Sequence, residues 1–427
     1  MAQEPMAGSM ELQAGETNPT GNIHAGMTPG ELRAADAAHD AQGRPGSETF
    51  RLPPGFSLRG TGADGSQEYF LNMGPQHPST HGVLKLVVRL DGETVVEVVP
   101  HLGFIHRAIE KMGENETFVQ YIHLTDRMDY LSSHINNLCV CMAIEKAMGI
   151  GVPERGEYIR VMVSELQRIQ SHLLWWGAFG MDLGAVSAFL YGFKEREKIT
   201  ALFEELCGAR LTMNFFRPGG SNADIPDGFL ARVQEVLNDL KFELDEFEVL
   251  LTKNPIIRER TLGVGALSRE RAINYGCSGP VGRASGIDFD VRKHDPYAVY
   301  DRFQFDVPLG KNGDCYDRYM VRMQEMRESI RILEQAMASF PEGQYRSKEK
   351  PAYKVPAGSY YANVETARGL YATYMVSDNS FKPYRIKSRS PNLSNLSAIN
   401  EMASGGKIAD LVAILSTLDL IIPDIDR

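Results

Sequence analysis

No C-x-x-C pair occurs among the five cysteines, Cys139, Cys141, Cys207, Cys277 and Cys315, and the two nearest have a single residue between them. That spacing offers neither a disulfide framework nor a usual zinc or iron–sulfur ligand set, and it fits a reducing compartment. Glycine loops of the P-loop or dinucleotide type are missing, as are G-x-S-x-G and H-E-x-x-H, so the chain is not expected to bind NADH itself. Basic residues are not in excess: a formal net charge of −10 argues against nucleic acid as a general partner. The N-terminus has no basic region followed by an apolar core, which argues against a cleaved export signal. Its Glu and Asp content argues against a mitochondrial transit peptide, and the chain is expected to stay in the cytoplasm.

A long uninterrupted apolar run is also lacking. The nearest approach, residues 172–193, includes His172, Asp182 and the glycines Gly177, Gly180, Gly184 and Gly192. A lone carboxylate near the centre of a bilayer costs a few kcal/mol even on lenient insertion scales. Two buried helices meeting at a break near Gly180 and Gly184 are therefore expected in place of a membrane span.

What is present suits a soluble protein with two or three cores: 427 residues, 43% hydrophobic and 23% charged. Residues 1–65 are rich in Gly, Ala, Glu, Thr and Pro without an apolar period, and read as a flexible extension with order beginning near Tyr69. Strand-like stretches follow at 69–73, 83–90 and 94–99, the last two joined by the turn Asp91-Gly92. From Phe104 the apolar spacing becomes helical, continuing through 115–148, from Pro153, and most clearly over 226–251, where Phe229, Val233, Leu237, Leu240 and Leu244 share a face. Residues 260–311 read as irregular and as an interface, 316–339 as a helix, and 360–364 with 371–376 as a hairpin turning at Arg368-Gly369. The basic stretch 382–389 serves equally as a contact surface or a solvated face. A break at Gly405-Gly406 precedes a short helix over 407–415.

Between the first two strands stands Gly74-Pro75-Gln76-His77-Pro78-Ser79-Thr80-His81-Gly82. Pro78 and the flanking glycines exclude a regular helix, so His77 and His81 sit on a turn. Imidazoles titrate near neutral pH and suit proton delivery to a ligand; the plainer reading of this segment is a turn whose histidines only hydrogen-bond backbone, and a third is a metal-binding pair. Other polar groups in unexpected company are Arg107, Tyr130 in Asp126-Arg127-Met128-Asp129-Tyr130, and Asp182 in its apolar run.

The 74–82 stretch, His101-Leu102-Gly103-Phe104-Ile105-His106-Arg107, the Asp126–Tyr130 motif, Phe216-Arg217-Pro218-Gly219-Gly220, Tyr297-Ala298-Val299-Tyr300-Asp301, residues 313–319 and the terminal Asp-Ile-Asp-Arg resemble the hydrogenase-like D-type subunit of NADH-quinone oxidoreductase, respiratory complex I, collinearly from about 68 to 427. The resemblance implies an α+β fold like the large subunit of nickel–iron hydrogenases. Its parts would be the extension at 1–65, a β part at 66–102 carrying the histidine turn, a central helical bundle at 103–260, an irregular region with a long helix at 261–340, and a β-containing C-terminal part at 341–427. It further implies that His81 and Tyr130 bind the quinone headgroup, that Asp182 pairs with His81, and that Arg107 lies near the terminal 4Fe-4S cluster of the neighbouring B-type subunit. No metal or cofactor would be bound by this chain alone. Partners would be the B-type and C-type subunits and the membrane arm, with the chain peripheral on the cytoplasmic face of the bacterial inner membrane. The alternative is a non-catalytic structural subunit of a related hydrogenase-like complex. Thr212 stands where many relatives carry a histidine, which leads us to expect a lower, pH-independent cluster potential and menaquinone as acceptor.

Overall fold

The computed structural model describes residues 56–61, 67–76, 82–348 and 352–427. Both histidines of the 74–82 turn, His77 and His81, lie outside the described residues.

An antiparallel meander is formed by β1 (Phe56–Thr61), β2 (Gln67–Met73), β3 (Lys85–Asp91) and β4 (Thr94–His101), in that order across the sheet. Along β3 the alternation buries Leu86, Val88 and Leu90 on one face, as a period of two requires. Gly92 takes φ +58° in the turn to β4, a conformation that favours glycine. The sheet begins earlier than expected: β1 pairs with β2 from Phe56↔Leu71 to Thr61↔Gln67. A strand that takes its hydrogen bonds from a neighbour needs little apolar period of its own, which is why 56–61 read as part of the extension.

The central helices are α1 (Ile109–Gly113), α2 (Phe118–Thr125), α3 (Ser133–Met148), α4 (Glu154–Asp182) and α5 (Val186–Cys207). Thr117 and Gln120 form a reciprocal cap that starts α2. The helix expected across 115–148 is interrupted at 126–132, because Asp129 supplies its own turn: its carboxylate accepts from Leu131 N at 3.1 Å and its carbonyl from Ser132 N at 3.0 Å. The apolar run at 172–193 divides as expected. Helix α4 ends at Asp182, Gly184 turns with φ +92°, and α5 returns from Val186. The two helices touch closely, since a Cβ on Gly180 would stand 2.6 Å from that of Ala188. Among the described residues no helix is long and apolar enough to cross a membrane.

A two-residue ladder, β5 (Phe216–Arg217) with β6 (Gly220–Ser221), leads to α6 (Phe229–Phe247), which buries the stripe read from its sequence and ends in a π-helical turn at Glu248–Thr252. Residues 260–311 hold more regular structure than expected: the end of α7 (Pro255–Thr261), α8 (Arg269–Asn274), α9 (Gly279–Ala284), α10 (Val291–His294) and a 3-10 turn at Tyr300–Arg302. Much of this region faces inward, with Arg283, Asp290 and Arg292 buried. Each helix is too short to display a period, so the interior role was hidden. The long helix α11 (Cys315–Ala338) packs against α4.

In the C-terminal part β7 (Gly358–Thr366), β8 (Gly369–Ser377) and β9 (Arg385–Arg389) form an antiparallel sheet, with β7 and β8 against α3. The basic stretch supplies β9, and its Arg385 and Lys387 pair with Glu110 and Glu114 at α1. Helices α12 (Pro391–Ser397), α13 (Ile399–Ala403), α14 (Ile408–Leu418) and α15 (Ile422–Asp426) close the chain. Two apolar clusters result. One lies among α3, α4, α5, α6, α11 and the β7–β9 sheet, and the other joins the inner face of β2–β4 to α13, α14 and α15.

Candidate functional site at the meeting of the two cores

Tyr130 belongs to the 126–132 interruption between α2 and α3, half-buried, and no hydrogen bond joins it to another described residue. Burial raises its pKa, opposed by the positive charge of Arg368 and assisted by Asp129 and Asp419. The phenol is therefore a donor at neutral pH.

Behind it lies a cluster that unites four distant segments. Arg368, fully buried at the β7–β8 turn, donates to Asp129 Oδ2 at 3.2 Å, Ser171 Oγ at 2.9 Å on α4, and Asp419 Oδ1 at 3.1 Å beyond α14. Its Nε also donates to the Asp419 carbonyl at 3.0 Å. Asp419 is held with φ +55°, a left-handed conformation that Asp tolerates better than most residues. Burial raises the pKa of Asp129 against the pull of Arg368. Nearby Asp424 is pushed up to about 6 by burial and by Asp129, while it accepts from Asn392 Nδ2 at 2.7 Å and from Ser390. A carboxyl that titrates near neutrality can hold or release a proton under working conditions.

Arg107 stands at a different corner, exposed on the 102–107 loop. That loop is fixed by the C-terminus: Asp426 accepts from Gly103 N and Ile105 N, each at 2.9 Å, and its carbonyl accepts from His106 Nδ1 at 2.6 Å. Leu102 and Phe104 remain exposed beside Arg107, presenting an apolar and cationic surface.

Asp182 closes α4 and is partly buried. It lies eleven positions beyond Ser171, roughly 16 Å along the helix axis. Tyr130 is thus within electrostatic reach of Arg368, Asp129 and Asp419, with Asp129 in turn acting on Asp424, whereas Asp182 stands at the far end of the same helix that supplies Ser171. Sequence reading missed Arg368, which looked like an ordinary turn residue, and Asp419. Their only signal was charge beside apolar runs.

The cysteines are scattered: Cys139 and Cys277 contact the carbonyls of Ala362 and Ser394, and among the described residues no shared centre gathers the thiols.

The family described as the 49 kDa subunit of respiratory-chain NADH dehydrogenase matches residues 182–353 and 346–427. The D subunit of NADH-quinone oxidoreductase from Desulforamulus reducens is 49% identical over 361 residues, covering 84% of this chain and 99% of the relative. The D subunit from Dehalococcoides mccartyi strain 195 is 50% identical over 363 residues, with 85% and 99% covered. A combined C/D subunit from Bacteroides thetaiotaomicron is 50% identical over 363 residues, and the match spans 68% of that longer protein. With matches of this extent over a mixed α+β fold, the chain belongs to the family of the 49 kDa subunit of respiratory-chain NADH dehydrogenase.

Proposed function

We propose that this chain forms one wall of the quinone-reduction site of a multisubunit NADH-quinone oxidoreductase. Reduction of a quinone to a quinol consumes two electrons and two protons. The electrons would come from a 4Fe-4S cluster held by the B-type subunit, and this chain would supply groups that bind the headgroup and deliver protons. Tyr130 donates to one carbonyl oxygen and His81 to the other, with Asp182 holding the imidazole in its tautomer and favouring its protonated form.

The observation that carries this reading is the phenol of Tyr130, half-buried and without a hydrogen bond to another described residue, backed by carboxyls whose pKa values burial raises. Arg107 fits a position facing the cluster, because its loop is rigidly tied to Asp426 while its guanidinium stays exposed. A positive charge there favours the reduced cluster. The likeness to a nickel–iron hydrogenase large subunit belongs to the same proposal: the hairpin histidines His77 and His81 would occupy the region of that subunit's first C-x-x-C pair, and the Asp424–Arg427 tail that of its second. The C-type subunit is a natural neighbour, since the Bacteroides relatives carry a combined C/D name on a longer chain. The B-type subunit and the membrane arm complete the set of partners. In that assembly the chain sits on the cytoplasmic face of the inner membrane as a peripheral subunit.

Substitution in the assembled complex tests the reading. His81→Ala, Tyr130→Phe and Asp182→Asn should each lower quinone reductase activity by about tenfold or more while the complex and its cluster signal persist. Loss of assembly with no activity-specific defect would support a purely structural role instead.

A further inference from the structure

Two arginines on α11 have opposite fates. Arg318 uses its guanidinium fully, donating to Gly265 O, Gly313 O and Thr417 Oγ1 at 2.7–3.0 Å. One turn later Arg322 is equally buried, yet it spends one nitrogen on the Arg318 carbonyl at 3.0 Å and leaves Nε and the other Nη without a partner.

Three other orphaned atoms belong to side chains linked to it. The guanidinium lies 4.5 Å over the Trp175 ring. Trp175 Nε1 donates to Ser416 O at 2.8 Å, and the buried Ser416 Oγ has no partner. Asp419, three positions on, is within electrostatic reach of Arg322 and keeps Oδ2 unpaired. His172, one turn before Trp175 on α4, binds Glu325 Oε2 through Nε2 at 2.9 Å, and its Nδ1 is unpaired. Glu325 itself follows Arg322 by one turn on α11. Side chains linked through Arg322 and Trp175 thus leave two guanidinium nitrogens, a hydroxyl, a carboxylate oxygen and an imidazole nitrogen, all buried, without partners. Buried polar groups left in such a set are normally satisfied by ordered water, which needs two to four polar partners.

We infer that Arg322, Ser416, Asp419 and His172 hold bridging water, and that this bridge passes protons between the His172–Glu325 pair and the Arg368 cluster behind Tyr130. The inference rests on the quinone-site reading above. Its chemistry is proton exchange alone: a proton leaves the imidazole or a water as another arrives, and Asp419 passes one toward Asp129, with no change of oxidation state. Arg322 and Arg368 keep their protons and orient the rest. The charged groups facing the bridge are His172 from α4, Arg318, Arg322 and Glu325 from α11, Asp419 after α14, Arg368 from the β7–β8 turn and Asp129 from the 126–132 loop, with Arg283 from α9 paired to Glu325.

The test uses the assembled complex and a short-chain quinone analogue. Ser416→Ala and Arg322→Met should leave the KM for quinone unchanged and lower kcat, by about threefold and about tenfold, with the deficit widening toward alkaline pH and a larger solvent isotope effect. A high-resolution map of the wild-type complex should show ordered water within hydrogen-bonding distance of Arg322 Nε and Asp419 Oδ2. Wild-type kcat, pH profile and isotope effect in Ser416→Ala, or a map without such water, would overturn the bridge. Should Arg322→Met fail to assemble, Ser416→Ala and the map still decide. Full activity in Tyr130→Phe would instead remove the quinone-site reading and leave the hydrated bridge standing as an internal feature.

Discussion

Arg368 donates to Asp129 at 3.2 Å although 239 positions separate them in the chain. One guanidinium thereby fastens the interruption between α2 and α3 to the β7–β8 turn, and through Asp419 it fastens both to the end of α14.

Removing that cation leaves two carboxylates in the interior without compensation. Breaking a buried pair from one side typically costs about 3–5 kcal/mol, more than the pair contributes when intact, because the remaining charge stays desolvated. Arg368→Met should therefore lower the thermal unfolding midpoint sharply or prevent assembly. The double variant Arg368→Met with Asp129→Asn should recover part of the loss, as a double-mutant cycle would measure.

Asp424 gives a pH signature of definite sign. Its pKa is raised from 3.8 to about 6, chiefly by burial and then by Asp129, so the folded state binds this proton more tightly than the unfolded chain. Its protonated form is thus favourable for folding below the unfolded value, and that contribution is lost as pH rises through about 6. Asp424→Asn keeps a carbonyl to accept from Ser390 and Asn392 but removes the titration. The variant should gain stability relative to wild type as pH is raised from about 4 to about 7, by roughly 2 kcal/mol, and the difference should be level above that range. Denaturant unfolding at several pH values reads it directly.

In the proposed assembly Arg107 and Thr212 would bear on the electron donor. If the cluster of the B-type subunit lies against the 102–107 loop, Arg107→Met should lower its reduction potential by roughly tens of millivolts, the scale Coulomb's law gives for one charge near solvent. Thr212 is exposed and cannot titrate, so the wild-type potential should stay level with pH, whereas Thr212→His should introduce a fall as pH rises through the imidazole range. Redox titration followed by the cluster's paramagnetic signal decides both. A wild-type potential that already falls steadily with pH would refute the role assigned to Thr212.

Local physics wrote much of this architecture into the chain. Alternation marked the strands, a spacing of three and four marked α6 and α11, and Gly184 with Asp182 turned an apparent membrane span into the α4–α5 hairpin. Tyr130 and Arg107 stood out because their motifs are polar sequences in apolar surroundings. The interior charges were another matter. Charge beside apolar runs was too weak a signal to separate Arg368, Asp419, Arg322 or Arg283 from surface residues, because a charge is made tolerable in a core by partners that arrive from elsewhere in the chain. Burial and pairing are properties of the closed fold, so only the tertiary structure could decide that Arg368 and Asp419 stand beside Tyr130 and that Arg283 and Arg322 are buried.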